Sequence, residues 1–204
     1  MMRTETLRSW RWAASGVLAK ARVLTGRDIL LVGLAGLSSA LIGQLAGRAL
    51  HATWPIPASG SLAAALPRAV ILLVLLLRVR RFGVLTAAGL AEVAAKVAMG
   101  GIGLMPWCLT VPILGNLAGD VAWAGLGGLR SQRLRTALTG ASLCTGRVLA
   151  ALLFWATFMT AAKGNLGTIH GLIIGANVLL GLTAGFLVGR VAIRKGDEKD
   201  DPGE

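Results

Sequence analysis

The chain contains no tyrosine, few aromatics of any kind (5%) and only nine acidic residues among 204. Charged residues of both signs amount to 15%, against 55% hydrophobic residues and a mean hydropathy of +0.71. A soluble domain of this length needs more polar surface than that, so the solvent for most of the chain is expected to be lipid. Two cysteines, Cys108 and Cys144, both lie in apolar runs and give no secreted disulfide framework. No HExxH, Walker A or dinucleotide-binding pattern occurs. An embedded enzyme would therefore need an unfamiliar site, no cofactor is expected, and any ATP-driven process would take its motor from partner subunits.

Glycine and positive charge are what the chain has in plenty. Its 28 glycines suit membrane helices, where small residues let backbones approach closely without help from water. A helix needs ~20 apolar residues to cross a ~30 Å hydrocarbon core. Apolar runs between charge clusters predict six spans, at 29–50, 62–77, 82–104, 108–129, 137–162 and 166–189.

The net charge of +12 would point to nucleic acid in a soluble protein, but here its distribution marks topology. Cations gather before the first span (Arg3, Arg8, Arg11, Lys20, Arg22, Arg27), after the second (Arg78, Arg80, Arg81), after the fourth (Arg130, Arg133, Arg135) and after the sixth (Arg190, Arg194, Lys195, Lys199). These sixteen of 21 basic residues fall on one side of a chain that starts inside and crosses six times, the positive-inside pattern. The expectation is an all-α integral membrane protein of a bacterial inner membrane, with six transmembrane helices, both termini in the cytoplasm and no nucleic-acid partner. Residues 1–28 carry Leu7, Trp10, Ala14, Val17, Leu18, Ala21 and Leu24 at helical spacing, as an amphipathic helix on the cytoplasmic leaflet would. The transmembrane domain is then 29–189, and the charged residues 190–204 read as a disordered cytoplasmic tail.

In the first span Ala35, Ser39, Gly43 and Gly47 recur every four residues, a ribbon of small side chains that another helix can approach closely. That helix can belong to the same chain or to another subunit. The third span enters as Arg81-Phe-Gly83-Val-Leu-Thr86-Ala-Ala-Gly89, and the fourth contains Gly115-Asn116-Leu-Ala-Gly119-Asp120. On these residues the chain resembles the substrate-binding S components of energy-coupling factor (ECF) type ABC importers, small six-helix proteins for vitamin and metal uptake. The resemblance implies docking of a transmembrane coupling subunit on Ala35, Ser39 and Gly43, ATPase subunits beyond it, and a small-molecule ligand bound from outside.

Charged residues inside a span cost at least ~2.5 kcal/mol each unless they pair or snorkel, so they are candidates for a site. Glu92, Asp120 and Arg147 fall near mid-membrane on spans three, four and five, as an intramembrane charge cluster that is either structural or a proton or ion relay. Glu92 and Lys96 stand at i, i+4 and can satisfy each other. Arg48, Arg68, Lys96 and Lys163 lie in the outer half with no carboxylate in the same layer, joined by Asn165, Cys108, His51 and His170. That asymmetry predicts an outward anion site centred on Arg68 and Lys96, with Arg48, Trp54, Asn165 and His170 as further substrate-binding candidates. The outer loop 51–61 carries Trp54 between His51 and two prolines, Pro55 and Pro57, as a lid would. His51, Cys108 and His170 are weak metal candidates, because their spacing lacks the close ligand pairs of a structural zinc site. Ser142 and His170, which invite comparison with intramembrane serine proteases, fall at opposite ends of adjacent spans, out of hydrogen-bond reach.

Three functions are compatible with these features. The first is an ECF-type subunit capturing a small anionic nutrient or vitamin. The second is a structural or assembly protein docking through its first helix. The third is an embedded lipid-modifying enzyme built on Glu92, Asp120 and Arg147.

Overall fold

A computed structural model describes residues 24–53, 59–100, 106–158 and 166–197. Among these the chain is helical: α1 Gly26–Thr53, α2 Ser59–Val79, α3 Val84–Ala98, α4 Pro106–Gly125, a 3-10 turn at Leu126–Gly128, α5 Gln132–Phe158 and α6 Leu166–Asp197. Helices suit such runs because a lipid-facing backbone has no water to bond and must satisfy its N–H and C=O groups within the segment.

Five of these helices, all but α3, contain a stretch long and apolar enough to cross a bilayer. The third predicted span is shorter than expected. Its helix covers 15 residues, about 22 Å at a rise of 1.5 Å per residue, against an expected span of 82–104 whose last residues, 101–104, lie outside the described ones. In the other direction, α6 continues to Asp197, so the start of the expected tail is helical. The amphipathic segment lies mostly outside the described residues.

The ends of α1, α2 and α3 meet through a reciprocal cap. Thr25 N–H donates to Asp28 Oδ2 (3.0 Å) and Asp28 N–H donates to Thr25 Oγ1 (3.3 Å), which satisfies two donors that a helix start leaves orphaned. Asp28 also pairs with Arg81 Nη1 at 3.4 Å, tying the start of α1 to the α2–α3 turn. That turn bends through two left-handed residues, Arg80 (φ 51) and Gly83 (φ 85).

Packing follows the cyclic order α1, α3, α4, α5, α6, α2, each helix against its two neighbours, with α2 also touching α3 and α5. The core is apolar around Ala69, Leu72, Leu73 and Leu76 of α2, Leu85 and Ala88 of α3, Leu143 of α5 and Ala184 of α6. The outside is apolar as well: Leu30, Leu34, Leu45, Val121, Leu153, Leu172, Leu179 and Phe186 are all exposed. Apolar surface on this scale has a lipid environment as its solvent.

The closest crossing is that of α5 and α6. The Cα of Gly181 lies against the backbone of Gly140, and that of Gly185 against Thr136 and Ala137, with no room for a side-chain carbon. Lipid offers no hydrophobic drive between helices, so this pair relies on backbone-close contact. Gly185→Val is expected to destabilise the protein by about 1–3 kcal/mol through overpacking. Gly171→Val, at a position with open space around it, should leave thermal stability in detergent nearly unchanged, and the two melting curves compared side by side check this.

Candidate functional site

Glu92, eight residues into α3, is fully buried and takes cations from three helices: Arg68 of α2, Lys96 of α3 and Arg147 of α5. Lys96 Nζ lies 2.7 Å from Oε1, Arg68 Nη2 lies 3.7 Å from the same oxygen, and Arg147 Nη2 lies 2.6 Å from Oε2. The carboxylate is 0% exposed, whereas the three cations keep 11–13%. An ion so enclosed survives only because it is paired and hydrogen-bonded, since stripping water from it costs several kcal/mol.

The supports around the cluster come from small and amide residues. Arg147 Nε and Nη2 donate to Asn116 Oδ1 at 3.2 and 2.9 Å, and Asn116 Nδ2 donates to the carbonyl of Leu85 at 2.8 Å. Asn116 thus bridges α3, α4 and α5. Arg147 itself packs over Gly115, where any side chain would collide with it. On the other flank Arg68 Nε donates to the carbonyl of Ser39 at 3.0 Å, and its guanidinium fills the space above Gly43.

The layering expected from the sequence is corrected here. Arg68 and Lys96 do have a carboxylate at their level, Glu92. Counting residues along a helix gives the depth of Cα atoms, but long side chains carry their charges one turn further, and a helical side chain leans toward its i−4 neighbour. Asp120 is corrected in the opposite sense, since it stands apart from Glu92 and Arg147. Its oxygens accept from the N–H of Leu85 (3.3 Å) and from the N–H and Oγ1 of Thr86 (2.8 and 2.7 Å), at the start of α3. A carboxylate at that position satisfies orphan donors and complements the positive end of the helix dipole.

Three members of the small-residue ribbon of α1, Ala35, Ser39 and Gly43, are accounted for within the chain, whereas Gly47 has open space around it. Ala35 and Ser39 are buried, Gly43 meets Arg68, and the neighbouring Gly36 packs against Ala88, Ala91 and Glu92 of α3. As a docking face for another subunit the stretch formed by Ala35, Ser39 and Gly43 is therefore already covered by α2 and α3. Of the remaining candidates, Arg48, His51, Cys108 and His170 lie on described helices, with side chains outside what is described, and Trp54 and Asn165 lie outside the described residues. Among the described residues no group of three or more His, Cys, Asp or Glu side chains gathers as metal ligands do.

No family model, curated protein or solved structure matches this chain. The site is therefore read from its chemistry alone. Two of its features were missed from sequence. Asn116 is one, and the signal for it in the sequence is an amide placed one turn before Asp120 on the same helix face. Gly181, Gly185 and Gly189 repeat every four residues, the same signal as the ribbon on α1, and they mark the α5–α6 contact.

Asp120 is assigned a capping role, and the assignment has a direct test. Asp120→Ala should lower stability by about 1–3 kcal/mol, the cost of leaving buried donors unpaired. Asp120→Asn, which keeps one acceptor oxygen, should recover part of it. Thermal unfolding in detergent with both variants measures the two losses; if Asp120→Ala is neutral, the carboxylate does not cap α3.

Proposed function

We propose that this chain is the membrane-embedded solute-binding subunit of an importer of the energy-coupling factor type, capturing a small anionic nutrient from the outer side. In this reading it crosses a bacterial inner membrane six times with both termini in the cytoplasm, and the 15-residue α3 belongs to the third crossing.

One observation carries the reading: a single enclosed carboxylate, Glu92, is shared by three cations whose side chains retain a little exposure. A purely structural ion pair needs one cation per carboxylate. An excess of positive charge in the low-dielectric core of a bundle is costly on its own and becomes favourable when an anion enters. Arg68 and Lys96 are the contact residues proposed, with Arg48, Trp54, Asn165 and His170 as further candidates on the outer side. Arg147 is held by Asn116 and serves to fix Glu92. The lipid-modifying alternative loses its constellation, because Asp120 is engaged at the start of α3. Because Ser39 is enclosed, a coupling subunit in this reading contacts a surface other than the Ala35, Ser39 and Gly43 ribbon.

The test is mass spectrometry of small molecules released from protein purified out of its native membrane, together with the identity of co-purifying subunits. The wild type should retain an anionic solute and bring down a coupling subunit with ATPases. Arg68→Ala should lower retained solute at least tenfold, a loss of about 1.4 kcal/mol in binding, with the subunits still associated. Solute transport by the chain alone in liposomes would reject the partner-dependent assignment. Full function of an Arg68→Ala, Lys96→Ala double variant would favour the assembly protein instead.

A further inference from the structure

We infer that the core site takes a doubly charged anion, of the kind presented by phosphate or a phosphate monoester. The inference rests on the solute-binding reading above and gives it a charge class.

The nine acidic residues are Glu5, Asp28, Glu92, Asp120, Asp197, Glu198, Asp200, Asp201 and Glu204. Asp28 is held at the start of α1 by Thr25 and Arg81, and Asp120 is held at the start of α3 by Leu85 and Thr86. Apart from Glu92, the remaining six, Glu5 and the group from Asp197 onward, stand near the two ends of the sequence. Among the described residues Glu92 is thus the sole carboxylate paired with Arg68, Lys96 and Arg147, and this cluster carries two positive charges in excess. A monoanion leaves one of them uncompensated in a medium where that is costly, whereas a dianion brings the site to neutrality.

The donors of the cluster are unequally engaged. Arg147 directs its Nε, Nη1 and Nη2 groups to Asn116 and Glu92. Arg68 uses Nε on the Ser39 carbonyl, and its one other polar contact among the described residues is the longer ion pair to Glu92. Lys96 uses one of three N–H groups on Glu92. Among the described residues, the outer N–H groups of Arg68 and two of Lys96 therefore have no acceptor of their own. Ser39 Oγ, on the residue whose carbonyl receives Arg68, is buried with no hydrogen-bond partner. Buried donors are rarely left so in folded proteins. A phosphoryl group supplies three acceptor oxygens with two negative charges, which matches a planar guanidinium beside an ammonium.

The chain in a maltoside detergent, which contains no phosphate, is titrated at pH 8 with inorganic phosphate, mostly the dianion there, and with nitrate at equal ionic strength. Phosphate should produce a saturable rise in melting temperature of roughly 3–5 °C, and nitrate less than about 1 °C. Arg68→Gln and Lys96→Gln should melt no lower than the wild type without phosphate, since each removes excess charge, and should lose the phosphate response. Lys96→Arg, which keeps the charge, should retain it. A third arm adds phosphatidate to the micelles, presenting the same headgroup on acyl chains, and should give no saturable rise.

An equal response to nitrate that is lost in Arg68→Gln overturns the charge class while leaving the solute-binding reading intact. A phosphate response unchanged in Arg68→Gln and Lys96→Gln is a general salt effect and overturns the inference. A response to phosphatidate alone assigns the site to lipid and overturns it too. If neither anion shifts the melting temperature and no solute is retained by the purified protein, the inference and the solute-binding reading fail together.

Discussion

The carboxylate of Glu92 is the point on which this bundle turns. It is reached by side chains from α2, α3 and α5, and its neighbours Ser39, Gly43 and Asn116 tie α1 and α4 to the same place. In a bilayer, apolar side chains gain little by leaving lipid for one another, so association relies on close packing and on polar groups that have nowhere else to go. A single buried anion shared among several helices is such a group. It fixes which faces meet, because any rotation that carries the carboxylate away from its cations leaves all of these charges uncompensated in the core.

The glycines make that arrangement sterically possible. Arg147 reaches Glu92 by crossing above Gly115, and Arg68 reaches it by crossing above Gly43. At each crossing a long charged side chain lies where a partner helix would otherwise put a methyl group. On the far side of the ring, α5 and α6 meet backbone to backbone around Gly140 and Gly181 with no charge between them. The bundle thus has a dry, small-residue seam on one side and a polar, cation-rich seam on the other.

Much of the fold was legible in the sequence, because the rule that produces it is one-dimensional. Apolar runs of membrane length set the helices, and Arg-rich clusters such as Arg78, Arg80 and Arg81 set their ends. The i, i+4 relation of Glu92 and Lys96 is likewise local. What sequence could not deliver was the meeting of distant side chains. Arg68 and Glu92 are 24 residues apart and Glu92 and Arg147 are 55 apart, and depth counted along each helix ignored the reach of the side chains. Asp120 and Glu92 looked alike as mid-span carboxylates. Only the register of α4 against α3 separates them, putting one at a helix start and the other among cations. The covered face of α1 shows the same limit, since small-residue spacing identifies a close contact without saying whose helix makes it.

The central claim is that Glu92 and its cations act as one coupled unit that holds the helices in register. A double-mutant cycle between Glu92 and Arg147, with Glu92→Gln, Arg147→Gln and both together followed by reversible unfolding in bicelles, tests it most directly. The account predicts that Glu92→Gln alone costs about 3–5 kcal/mol, as removal of one member of a buried pair does, and that the double variant is more stable than additivity allows by about 1–3 kcal/mol. Additive losses within about 0.5 kcal/mol would mean that the two groups do not depend on each other, and would contradict the account.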